Sequence, residues 1–155
     1  TPTRRQRQMC IRDSVNAVYY PVSIKDLNKT DKRESGYCRV KVEAKDLSFY
    51  GKKIKTKNKN FWVYAANPGK IKKPSNSHPI VQSYVDLFIG GCFQIKERYK
   101  INEFPKQCVE TTTEWSKHWV NDRVHARRPF LVPNFYKIDK LLSNYFDYYL
   151  ENKYQ

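Results

Sequence analysis

The stretch "GGCFQIKERYKI" (residues 90–101) decides which fold the sequence predicts. Gly90 and Gly91 read as a turn, and the residues after them alternate. Phe93, Ile95, Tyr99 and Ile101 share one side with Glu97, while Gln94, Lys96, Arg98 and Lys100 share the other. Taken as a strand, this segment is apolar on one face and cationic on the other. Two stretches further upstream repeat the pattern. In "YCRVKVEAKDLSFYG" (37–51), Val40, Val42 and Ala44 face one way and Arg39, Lys41, Glu43 and Lys45 the other. In "FWVYAA" (61–66), Phe61, Val63 and Ala65 oppose Trp62 and Tyr64. The residues just before the glycines, "IVQSYVDLFI" (80–89), fit a strand or a short helix equally well.

Outward from these strands, "VNAVYYPVSI" (15–24) is β-branched and aromatic, and Pro21 either demotes it to an edge strand or splits it. "KKIKTKNKN" (52–60) has too few apolar residues for a core element and reads as a projecting ribbon or loop. From about Thr111 the period becomes helical, with capping-box spacing between Thr111 and Glu114 and one turn between Trp115 and Trp119. After the basic connection "RVHARRPFLVPNF", Asn134 is placed to cap a last helix. Its apolar stripe is Ile138, Leu141, Leu142, Tyr145, Phe146 and Tyr149. The expectation is an α+β protein: a five-stranded, OB-like twisted antiparallel sheet or small barrel from about Val15 to Ile101, with two C-terminal helices on its open side.

Of the 155 residues, 15% are aromatic and 29% charged, and the net charge of +15 points to a polyanionic partner. No run approaches the roughly 18 apolar residues of a membrane helix, so no membrane partner is expected. Cys10, Cys38, Cys92 and Cys108 show no metal-binding spacing and read as reduced thiols of a cytoplasmic protein. No phosphate-loop, dinucleotide or nucleophile-elbow motif occurs, and no cofactor is expected.

The opening "RRQRQMCIRDS" (4–14) resembles the in-frame translation of a sequencing-library adapter and transposon end. It contains Met9, the sole methionine of the chain. The expectation is that residues 1–14 are non-native and disordered, and that residues 15–155 are a single nucleic-acid-binding domain truncated at its N-terminus. Without residues 1–14 the net charge is +12, because four Arg and one Asp leave with them.

Cationic strand faces interleaved with aromatic rings suit single-stranded DNA or RNA, which needs cations along its backbone and flat side chains for its bases. The candidate contacts are Arg39, Lys41, Lys45, Lys53, Lys55, Trp62, Tyr64, Lys96, Arg98 and Lys100. "FWVYAANPGKIKKP", followed after a spacer by "FIGGCFQIKERYKINEF", resembles the middle of phage single-stranded-DNA-binding proteins with an OB-type fold. The resemblance covers Phe61 to Phe104 and implies a non-enzymatic protein that coats single strands in phage replication or recombination. The segment from Ser35 to Lys70 is also similar to the SpoVG-type nucleic-acid-binding sheet.

Three other chemistries have candidate residues. Glu43 and Lys45 form an E-x-K pattern which, with Asp31 or Asp26, would serve a Mg²⁺-dependent nuclease. His118, Asp122 and His125 would share one helix face and, with Cys108, could ligate Zn²⁺ or Fe²⁺. Cys92 follows the glycine pair out of phase with the apolar face, as an exposed nucleophile would. A structural protein on a packaged genome is a further reading of the same positive charge.

Overall fold

The computed structural model describes residues 15–51, 54–127 and 132–151. These are organised as α+β and fall into two compact units, Tyr19–Lys72 and a second comprising 15–18 with the described residues from Lys73 onward.

In the first unit, helix α1 (Ile24–Arg33) starts at Ser23, whose Oγ accepts from the Asp26 backbone N–H at 3.1 Å and donates to the Asp26 carboxylate at 2.7 Å. Asp26 in the first turn and Lys32 and Arg33 in the last complement the helix dipole. No residue of α1 is buried. The chain then forms an antiparallel ribbon of β1 (Tyr37–Val42) and β2 (Phe61–Ala66), in register from Tyr37 opposite Ala66 to Val42 opposite Phe61. Paired residues point to the same side of a ribbon. One face therefore carries Tyr37, Arg39, Lys41, Trp62 and Tyr64, and the other Cys38, Val40, Val42, Phe61, Val63 and Ala65. On the second face, the Phe61 ring meets Tyr19 and Phe49, with centroids 6.2 and 6.3 Å away.

The second unit holds the hydrophobic core. Helix α2 (Gln82–Tyr99) runs straight through Gly90 and Gly91, and Val85, Ile89 and Cys92 form its buried stripe. Helix α3 (Phe104–Thr111) begins with Pro105 in its first turn, where no intrahelical donor is needed. It contributes Phe104, Cys108 and Val109 to the core. Helix α4 (Phe135–Ser143) and the short α5 (Tyr148–Glu151) add Ile138, Leu142 and Tyr149. Two short parallel strands, β3 (Ile80–Val81) and β4 (Trp119–Val120), bring buried Trp119 alongside.

Several expectations are corrected. Among the described residues the sheets are two-stranded and no closed barrel forms, so the five-stranded OB-like sheet is absent from them. Residues 90–101 are not a strand: the alternating segment is the C-terminal half of α2, ended by Lys100 in the left-handed conformation at φ 58°. The glycine pair is not a turn. A Cβ on Gly90 would stand 2.8 Å from a Val132 methyl, so the glycine lets that side chain approach the helix. Residues 15–23 form no strand. The helix expected to begin near Thr111 instead ends there, and the Thr111 hydroxyl bonds back to the Gln107 carbonyl at 2.7 Å rather than capping. The final apolar residues do pack together, Ile138, Leu142 and Tyr149 buried with Leu141, Tyr145 and Phe146 against them, but not on one helix: α4 ends at Ser143, Tyr149 belongs to α5, and Asn134, at φ 62°, makes no side-chain cap. Residues 1–14 lie outside the described residues.

Candidate nucleic-acid interface

Charge is divided unequally between the two units. Residues 19–72 carry 14 Lys and Arg against five Asp and Glu, a net of +9, while residues 73–155 carry 12 against nine, a net of +3. The ribbon unit is therefore the place where a polyanion would be attracted most strongly.

The cross-strand register gathers four candidate residues that sequence alone could only assign strand by strand. Arg39 stands opposite Tyr64 and Lys41 opposite Trp62, all on one face. Trp62 remains 39% exposed, enough to offer its ring edge and part of its surface to a base. The Arg39 guanidinium carbon lies 4.7 Å from the centre of the Trp62 ring, within cation–π range. From β1 the chain enters a short 3₁₀ turn (Ala44–Asp46) that holds Lys45. It then forms the connection to β2, where Lys55, Lys57 and Lys59 are all exposed. Lys53 lies outside the described residues. The loop has its own turn, closed by the Lys59 N–H on the Thr56 carbonyl at 3.1 Å, with Asn58 at φ 61°.

Acidic partners on the ribbon face were not legible from charge totals. Asp31 of α1 accepts from Arg39 Nη1 at 2.9 Å through one oxygen and from the Tyr64 hydroxyl at 2.6 Å through the other. Desolvation, followed by the Asp31 carboxylate, pushes the Tyr64 hydroxyl above its usual value. Glu43 stands 3.8 Å from Lys41. Three of the four cations and rings on this face, Arg39, Tyr64 and Lys41, thus begin with a carboxylate beside them, and the lysines of the loop are the more available charges.

Lys96, Arg98 and Lys100 belong to the other unit. They lie on or just beyond the last turn of α2, where Arg98 sits over the Tyr99 ring at 5.6 Å. Their positions suit the C-terminal dipole of a helix.

The E-x-K pattern does not lie along one strand, because β1 ends at Val42 and Lys45 falls inside the 3₁₀ turn, which breaks the alternation that would align it with Glu43. Asp31 is engaged by Arg39 and Tyr64, and Asp26 by Ser23 and Lys29. His118, Asp122 and His125 have no common helix. His118 precedes β4 and bonds Asn76 at 2.7 Å, and His125 ends a 3₁₀ turn (Arg123–His125). Asp122 accepts from the Ser83 N–H and hydroxyl at 2.8 and 2.7 Å and from the Arg127 N–H at 2.9 Å. Among the described residues no group of three or more His, Cys, Asp or Glu side chains is arranged to hold a metal ion. Cys92 is buried rather than exposed. Hydrogen bonding with Cys108, together with burial, holds its thiol above the usual value, the opposite of what a nucleophile needs.

The second unit contains a polar cluster that the sequence did not suggest. Arg123 Nε and Nη2 each donate to Asp86 at 2.7 Å, and Nη1 lies 2.8 Å from Asp139. Tyr149 donates to Asp139 at 2.7 Å, and Gln82 joins Asp86, Trp119 and Tyr149. The two carboxylates hold the Arg123 guanidinium firmly protonated against the effect of burial. No buried polar side-chain atom among the described residues lacks a partner, so this cluster is closed and joins α2, α4 and α5 without presenting a reactive group.

No protein-family model, no curated protein and no solved structure matches the chain.

Proposed function

We propose that the chain binds single-stranded nucleic acid, DNA before RNA, in a sequence-tolerant manner through the β1–β2 ribbon and the lysine loop that joins its strands. One observation carries this reading: the register that puts Arg39, Lys41, Trp62 and Tyr64 on one exposed face of the unit holding +9 of the net charge. The lysines of the loop would follow the phosphates while Trp62 and Tyr64 offer rings to the bases, and neither role requires a fixed sequence.

A place in phage replication or recombination rests on the resemblance alone, of which "FWVYAANPGK" lies in the ribbon unit. The long strand of that resemblance corresponds here to helix α2, so an OB barrel is not part of the support for this reading. No catalytic step is assigned.

The test is binding of the full chain to a labelled dT oligonucleotide and to a duplex of equal length, each in Mg²⁺ and in EDTA. Trp62→Ala is expected to weaken single-strand binding by about 1–3 kcal/mol if a base stacks on the ring. Equal affinity in the variant removes Trp62 from the interface. Metal-dependent cleavage that disappears in Glu43→Ala would replace the binding reading with the nuclease one, and indifference to strandedness would favour a packaging role.

A further inference from the structure

The contacts of Asp31 describe more than an ion pair. Arg39 and Tyr64 are cross-strand partners, and their donors converge on the same carboxylate, one on each oxygen, at 2.9 and 2.6 Å. A guanidinium and a phenol hydroxyl converging from neighbouring strands make a two-donor seat for a small oxyanion, and both are groups that contact phosphate oxygens in nucleic-acid complexes. The seat belongs to the ribbon, whereas its occupant is delivered by α1.

Helix α1 is loosely held. None of its residues is buried, Ile24 at its start is 79% exposed, and its other ion pairs, Lys29 with Asp26 and Arg33 with Glu34, are local to the helix and its C-cap. Asp31 itself keeps 35% of its side-chain surface exposed and Arg39 keeps 31%, so solvent and solutes reach the pair. Exposed pairs of this kind exchange partners at little net free energy.

We infer that Arg39 and Tyr64 form a phosphate seat which the Asp31 carboxylate fills in the free protein and which a backbone phosphate of the bound strand takes over, displacing α1 from the ribbon. The identity of that phosphate as nucleic acid rests on the proposed function, while the seat itself does not. Asp31 is thus a competitor within the chain: it keeps Arg39 over Trp62 when no ligand is present, and lowers affinity for every anion that uses the seat.

The test uses the full chain as wild type, Asp31→Asn, Arg39→Ala and the double variant. Each is titrated with a labelled dT oligonucleotide and, separately, with inorganic pyrophosphate, followed by tryptophan emission. Asp31→Asn keeps the shape and the hydrogen bond from Tyr64 but removes the charge, and it is expected to bind both probes about threefold more tightly than wild type, the scale of one partly exposed ion pair released. In the Arg39→Ala background the same substitution is expected to change nothing, since the competition is for Arg39. Asp31→Ala, a better helix former than Asp, serves as a second variant should the Asn protein fold poorly.

Equal or weaker binding of both probes by both Asp31 variants, with folding intact by circular dichroism, overturns the seat. A gain that persists without Arg39 overturns it too, because general charge would then be the cause. Tighter pyrophosphate binding with no oligonucleotide binding by any form upholds the seat and refutes the nucleic-acid reading.

Discussion

The two units of this chain achieve order by different means. Among the described residues from Lys73 onward, ten apolar side chains form a buried core cluster, and the buried Gln82, Asp86 and Asp139 close on one another around Arg123. Between Tyr19 and Lys72 no described residue is buried, and the ribbon is held by its ladder, by the Tyr19–Phe49–Phe61 ring cluster and by Asp31. The same stretch carries most of the positive charge. Like charges in a thin element oppose its compaction, and a polyanion relieves that repulsion. On the proposed reading, stability and partner-seeking fall to separate parts of the sequence, so substitutions should affect one without the other.

The largest break in that comparison is expected from Arg123→Met. It leaves the Asp86 and Asp139 carboxylates buried without their counter-ion, and the side chain is only 12% exposed in the native protein, so solvent would compensate little. A loss of about 3–5 kcal/mol is expected in chemical denaturation of the helical unit. Oligonucleotide affinity measured well below the unfolding midpoint should be unchanged. A large affinity loss with intact stability would merge the two roles the comparison separates.

A smaller effect is expected at Gly90. Adding one methyl there brings carbon within 2.8 Å of Val132, and overpacking of this kind costs about 1–3 kcal/mol. The double variant Gly90→Ala with Val132→Ala should recover part of that loss in the same denaturation experiment. If Gly90→Ala is as stable as wild type, α2 does not meet Val132 as described.

The smallest is a pH effect at Asp122. Burial acts to raise its pKa, but the hydrogen bonds from Arg127 and Ser83 outweigh it and hold the carboxyl below its ordinary value of 3.8. A depressed folded value means stability that is present above the ordinary value and lost as pH falls through the folded one. Asp122→Asn should therefore be less stable than wild type at neutral pH, with the gap closing below about pH 4. A gap that stays constant with pH would mean that the contacts of Asp122 do not depend on its charge.

The ribbon was legible for a physical reason. A half-exposed strand must alternate, and Arg39, Lys41, Trp62 and Tyr64 do so with no competing period. What sequence could not supply was the pairing that puts them side by side, or the Asp31 carboxylate arriving from 33 residues before Tyr64. Helix α2 was misread because residues 93–101 happen to alternate and Gly90–Gly91 has the form of a turn. The deciding term was tertiary: a helix interior tolerates those glycines when a side chain must come close, as Val132 does. Read across the glycines, Val85, Ile89 and Cys92 show the helical period that each half alone conceals. The Arg123 cluster was illegible because its members are spread from Gln82 to Tyr149, with no local spacing to mark them.

The account depends most on the ribbon unit neutralising phosphates, and the salt dependence of oligonucleotide binding tests this most directly. For the full chain, the logarithm of affinity should fall linearly with the logarithm of salt concentration, with a slope of about −0.7 for each phosphate neutralised. Replacing Lys55, Lys57 and Lys59 together by Gln should flatten that slope by about 2 while leaving the unfolding midpoint of the helical unit in place. Binding that ignores salt, or a triple variant with an unaltered slope, would contradict the assignment of these residues to a nucleic-acid interface.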